Sequence, residues 1–119
     1  MRLDISALSD IGRRKKENED SYGVFLSQPS ETPLLREGAF LVVADGLGGH
    51  MGGEIASKLA VSIVKDVLKE QPPAPDSEGS YDTPLMALLE KYSVNANASV
   101  WQTNEDMNTG GKPMGTTLV

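Results

Sequence analysis

Ala39-Phe40-Leu41-Val42-Val43-Ala44-Asp45-Gly46-Leu47-Gly48-Gly49-His50-Met51-Gly52-Gly53 passes without a break from an apolar strand into a glycine-rich loop. The six residues Ala39 to Ala44 carry no polar side chain. A short apolar run without alternation reads as a strand covered on both faces, so something must pack on each side of it. Nine residues follow, Asp45 to Gly53, and five of them are glycine, a composition that a helix or strand interior tolerates poorly. Beyond the loop, Ile55, Ala56, Leu59, Ala60, Ile63, Val64, Val67 and Leu68 recur at three- and four-residue spacing. That pattern predicts a helix running to about Glu70 with one buried stripe.

Upstream, Leu3–Leu8 and Ser21–Leu26 have strand composition, and the polar run Ser9 to Asp20 with Gly12 between them predicts a hairpin-like pair. Gln28 to Gly38, with two prolines, reads as a connecting loop. Downstream, Pro72, Pro73 and Pro75 followed by Asp76 to Ser80 end the first helix and form a connection of about ten residues. A second helix is expected with Thr83 as its cap and Pro84 at its first position. Leu85, Leu88, Leu89, Tyr92, Ala96, Val100 and Trp101 supply its buried face, and it fades near Thr103 to Met107. After a turn around Gly110 and Gly111, Gly115 to Val119 has the β-branched content of a strand just starting. Two helices cover one face of a small sheet but hardly both, so one layer is missing and an apolar surface is left uncovered.

With 119 residues, 39% apolar and 24% charged, the chain has the size and composition of one folded domain or a piece of one. No apolar run approaches the roughly 20 residues that cross a bilayer, and Met1-Arg2-Leu3-Asp4 lacks the apolar segment of a signal peptide. Neither a membrane nor export is expected. A net charge of -6 argues against nucleic acid, and the short basic run Arg13, Arg14, Lys15 and Lys16 has no aromatic interleaving. With no cysteine, disulfides and thiolate metal sites are excluded, and a metal would be held by oxygen or by the single His50.

Asp45 ends the apolar strand, where a carboxylate is costly unless it is paired or binds a cation. Glu19 and Asp20 are adjacent carboxylates at a strand start; alone, such a pair is most often a solvated turn. Two oxygen clusters without cysteine or histidine partners suit Mg²⁺ or Mn²⁺, and phosphate chemistry is the commonest use of such ions. Nucleotide-loop readings of the glycines fail on spacing. From Gly46 a dinucleotide pattern would need its third glycine at Met51, and no Gly-Lys-Ser/Thr triplet exists. His50 is assigned no catalytic role, and Glu54 reads as a helix-start carboxylate.

Five blocks in this order resemble the PPM-type (type 2C) metal-dependent phosphatases, especially bacterial ones. They are Ser9-Asp10-Ile11-Gly12, Asn18-Glu19-Asp20-Ser21, Val42 to His50, Gly53-Glu54 with Ala56-Ser57, and Met114-Gly115-Thr116-Thr117. The resemblance covers nearly the whole chain, with residues 1–119 as the N-terminal part of such a domain. It implies an α+β fold, part of a four-layer α-β-β-α sandwich of two antiparallel sheets flanked by helices. It implies a site for two ions, Mg²⁺ or Mn²⁺, in which Asp45 bridges both, the Gly46 carbonyl binds one, and Glu19 and Asp20 hold a metal or its waters. The implied activity is hydrolysis of phosphoserine and phosphothreonine in a phosphoprotein substrate by a metal-activated water, opposing a serine/threonine kinase in the cytoplasm.

Two departures stand out. Lys15 occupies the place of the family's phosphate-binding arginine, and lysine supplies charge without a bidentate fork. Family members are also much longer, and their remaining metal-binding aspartates lie in the half of the domain absent here. The 119 residues alone are therefore expected to be catalytically weak or dead. The alternative expectation is a non-catalytic module that binds a phosphoprotein or partner without turning it over.

Overall fold

Strand β2, Ala39–Leu47, is the centre of the sheet. The computed structural model describes residues 2–28, 30–35, 38–49, 51–70, 82–107 and 111–119. On one edge of β2 lies β1 (Asp20–Leu26), antiparallel, in a register that runs from Asp20 opposite Asp45 to Leu26 opposite Ala39. On the other edge lies β3 (Gly115–Thr116), also antiparallel, with Gly46 opposite Thr116. The ladder continues past β3, since Val43 and Val119 exchange both backbone hydrogen bonds, at 2.9 and 3.0 Å.

β2 is apolar from Ala39 to Ala44, yet its environment alternates. Val42, Ala44 and Gly46 are buried, whereas Leu41, Val43 and Leu47 are 56–59% exposed. The buried set faces α1 (Gly52–Leu68), where Val42 packs with Val64 and Leu68 in the core. α2 (Asp82–Met107) packs on α1 and reaches the sheet through Tyr92, whose ring meets Phe40 edge to face at 5.9 Å. Among the described residues, nothing but the segment around Ile5 to Asp10 lies against the other face. That segment and Tyr22, Val24, Leu41 and Val43 line a groove of about 440 Å³.

Helix α1 follows the expected stripe, burying Ala56, Ala60, Val64, Val67 and Leu68. Ile55, Leu59 and Ile63 are half-buried, and Ser57, outside the apolar pattern, is fully buried. Its hydroxyl shares a 2.9 Å hydrogen bond with Ser21 of β1, which satisfies both polar groups across the helix–sheet interface. The helix ends at Leu68, two residues early, as Lys69 and Glu70 N–H close tight turns onto the Asp66 and Val67 carbonyls.

Four expectations are corrected. Leu3–Leu8 is not a strand and forms no hairpin with β1, whose partner is β2. Leu3 and Leu8 are 44% and 92% exposed, so ordering that segment would gain little burial to offset its entropy. The glycine loop is shorter than nine residues, because β2 continues through Asp45-Gly46-Leu47 and Gly52-Gly53 already belong to α1. Among the described residues β2 is covered by a helix on one face only, not on both as its unbroken apolar run suggests. The other face is the uncovered apolar surface that two helices are expected to leave. Trp101 is 60% exposed: Leu89, Tyr92, Ala96 and Val100 form the inward stripe of α2, and the next position falls past its edge. The helix is assigned from Asp82, and the Thr83 cap, the side chain of Leu85, the 72–80 connection and Gly110 lie outside the described residues and side chains.

Candidate metal centre

The register places Asp20 and Asp45 directly opposite each other at one end of the β1–β2 ladder. Asp45 lies between buried Ala44 and Gly46, Asp20 between half-buried Glu19 and Ser21, and both stand on the open face. Like charges so opposed repel, and a cation beside them would relieve that repulsion. Glu19, one residue before β1, has a side chain only 19% exposed, and its carboxylate lies over Gly53 in the first turn of α1. A helix N-terminus is a favourable place for a carboxylate.

Close backbone approach assembles this end. Gly46 N–H donates to the Glu19 carbonyl at 3.1 Å. A Cβ on Gly46 would run into the Gly53 carbonyl and sit 2.6 Å from the Glu19 oxygen, so strand, helix and the residue before β1 meet at a point that admits only glycine. Met51, just before α1, adopts the left-handed conformation with φ 66° and contributes no side-chain cap. Asn18 closes the preceding segment, donating to Ser9 Oγ at 2.8 Å and accepting the Asp20 N–H at 3.1 Å. Asp45 is gripped through its backbone: Thr117 Oγ1 accepts its N–H at 3.0 Å, and its carbonyl accepts the Thr117 N–H at 2.9 Å.

Lys15 Nζ donates to Glu19 Oε2 at 3.1 Å. That hydrogen bond and the Glu19 charge, followed by the charges of Asp45 and Asp20, hold the ammonium above its ordinary pKa. A lysine cation thus sits in the field of all three carboxylates. Lys15 and Glu19 also line a groove of about 310 Å³ with Gly48 and Met51.

Glu19, Asp20, Asp45 and Gly46 are therefore brought to one place, with Lys15 beside them. Their all-oxygen chemistry fits a hard cation. Among the described residues, however, no three acidic or histidine side chains gather closely enough to hold a metal ion. Glu54 is paired with Lys58 at 2.6 Å, as suits a structural helix-start residue, and His50 lies outside the described residues. The Ser21–Ser57 pair, the Thr117 hydroxyl and Asn104 escaped sequence reasoning as parts of this framework. A lone serine, threonine or asparagine carries no local signal of a partner tens of residues away.

A family model for Protein phosphatase 2C matches residues 13–119. The chain belongs to that family. Among protein phosphatase 2C relatives, serine/threonine phosphatase stp of Listeria monocytogenes is 35% identical over 111 residues, covering 93% of this chain and 39% of its own. The crystal structure of the Mycobacterium tuberculosis serine/threonine phosphatase PstP/Ppp matches with a TM-score of 0.63 at 31% identity, over 95% of this chain and 39% of that one. A bacterial serine phosphatase matches with a TM-score of 0.72 at 25% identity, over 94% and 44%. The chain thus has a protein phosphatase 2C fold and spans about two fifths of the length of these relatives, which agrees with a sheet covered on one face only.

Proposed function

We propose that the protein to which these residues belong hydrolyses phosphoserine and phosphothreonine in proteins, and that residues 1–119 are the N-terminal part of its catalytic domain. The observation that carries this is the opposition of Asp20 and Asp45 at the end of the sheet, with Glu19 and Lys15 beside them. Asp45, the Gly46 carbonyl, Glu19 and Asp20 would hold Mg²⁺ or Mn²⁺, two ions in the full site, together with acidic residues from the rest of the domain. Such ions supply a water activated for in-line attack at phosphorus and neutralise charge on the phosphoryl oxygens. The Gly46–Gly53 contact and the Thr117 bonds keep the Asp45 carboxylate at the strand end. Lys15, once Glu19 engages a metal, is free to face the phosphoryl group as a point charge. The relatives' names as serine/threonine phosphatases support a phosphoprotein substrate, and the reading extends to an opposing serine/threonine kinase in the cytoplasm.

A second reading, a phosphoprotein-binding module without turnover, is favoured by the short ligand count among the described residues. Hydrolysis of p-nitrophenyl phosphate with and without Mn²⁺, beside an Asp45→Asn control, separates the two. The 119-residue chain should turn over weakly or not at all, and the longer protein should show Mn²⁺-dependent turnover that the control loses. Turnover by the longer protein that persists in the control would refute the assignment of Asp45, and its complete absence would favour the binding module.

A further inference from the structure

The loop after β2 does not stand by itself. A Cβ on Gly48 would lie 3.2 Å from Met114 Cα, one on Gly52 would lie 3.1 Å from Met114 Cβ, and one on Gly49 would lie 3.3 Å from the Lys112 side chain. The segment 112–114 therefore forms a brace against which Gly48 and Gly49 of the loop and Gly52 at the start of α1 are seated, and Met114 itself is 4% exposed. The brace is in turn gripped from α2. Asn104 Oδ1 accepts the Met114 N–H and Asn104 Nδ2 donates to the Met114 carbonyl, both at 2.8 Å, so one side chain satisfies both backbone groups of one residue. Such a two-point bond fixes Met114 in position and in rotation. Three residues on, Thr117 holds the backbone of Asp45. A continuous path runs from α2 through Asn104, Met114 and the glycine loop to Asp45.

We infer that Asn104 is a positioning residue for the metal centre: from α2 it sets the 112–114 brace and thereby the backbone of Gly48, Gly49 and Gly52 between the Asp45 end of β2 and the start of α1. This rests on the metal reading given above. It predicts that loss of Asn104 loosens the site more than an equal loss of global stability would, because Met114 is not among the side chains that pack on Val42, Val64 and Leu68.

The test compares Asn104→Ala, and Asn104→Asp as a milder variant that keeps the acceptor, with Val64→Ala, the substitution in the α1 core. Amide exchange is followed by NMR at Gly46 and Gly52, whose N–H groups are hydrogen-bonded to the Glu19 and Gly49 carbonyls. Each rate is referred to the variant's own global stability. Exchange at these two amides should rise about tenfold in Asn104→Ala beyond that reference, less in Asn104→Asp, and not at all in Val64→Ala. Mn²⁺ affinity, measured by calorimetry, should fall about tenfold in Asn104→Ala only. Equal exchange in Asn104→Ala and Val64→Ala overturns the inference, whatever the metal result. Absence of Mn²⁺ binding in the longer wild-type protein sinks the metal reading of the site, while the exchange comparison still decides whether Asn104 holds the loop.

Discussion

The two faces of β2 carry side chains of the same kind and have opposite fates. Val42 and Ala44 are sealed beneath α1, with Val42 packed on Val64 and Leu68, while Leu41, Val43 and Leu47 are more than half exposed. Hydrophobicity alone decides that a strand wants cover. What supplies the cover is decided by which other elements share the chain and which way they pack. At the end of the same strand the contrast is repeated with different chemistry: Gly46 is enclosed by Gly53 and Glu19, whereas Asp45 beside it is open and opposed by Asp20. The enclosed face carries the stability, and the open face carries the charge and the unsatisfied apolar surface.

That contrast can be broken at several points. Gly46→Ala should have the largest effect, because the new methyl meets the backbone of both Gly53 and Glu19, which have no rotamer to yield. A loss of about 3 kcal/mol in urea unfolding is expected, and a loss under 1 kcal/mol would show that the close approach is not maintained in solution. Val64→Ala on the enclosed side should cost about 2 kcal/mol, the burial of two methyl groups plus the cavity they leave.

Asp20→Asn is expected to move the other way. It relieves the cross-strand repulsion with Asp45 and should raise metal-free stability by about 0.5 kcal/mol, a gain that shrinks at high salt. The same substitution should weaken Mn²⁺ binding. A variant neither stabilised without metal nor weakened with it would remove the reason for pairing these two aspartates. Val43→Ala, one residue from Val42 but on the open face, should change stability by less than about 0.5 kcal/mol. Its cost would rise to the scale of Val64→Ala in a longer protein in which that face is covered.

The readings that succeeded rest on local patterns. The stripe of α1 was legible because its apolar residues recur at helical spacing, and the family because five short blocks, those holding Glu19, Asp20, Asp45 and Gly46 among them, fall in a characteristic order. The readings that failed needed partners far away in sequence. Leu3–Leu8 has the composition of a strand, but β1 already pairs with β2 on one edge and the segment buries little. Trp101 is large and apolar, but its place on α2 falls outside the stripe that meets α1 and the sheet. Lys15 was legible as part of a short basic run, and its hydrogen bond to Glu19 was not, because the pairing depends on how the segment 9–19 folds back before β1.

The amino-acid sequence by itself determined the family, the order of strand, glycine loop and helix, and the residue types at the Asp20–Asp45 end of the sheet, because each is written in neighbouring positions or in short motifs. Tertiary structure alone decided which face of β2 is buried, that Asp20 stands opposite Asp45, and that Asn104, Thr117 and the Ser21–Ser57 pair brace the site. Those outcomes depend on strand register and on contacts between segments up to 72 residues apart, which no local pattern encodes.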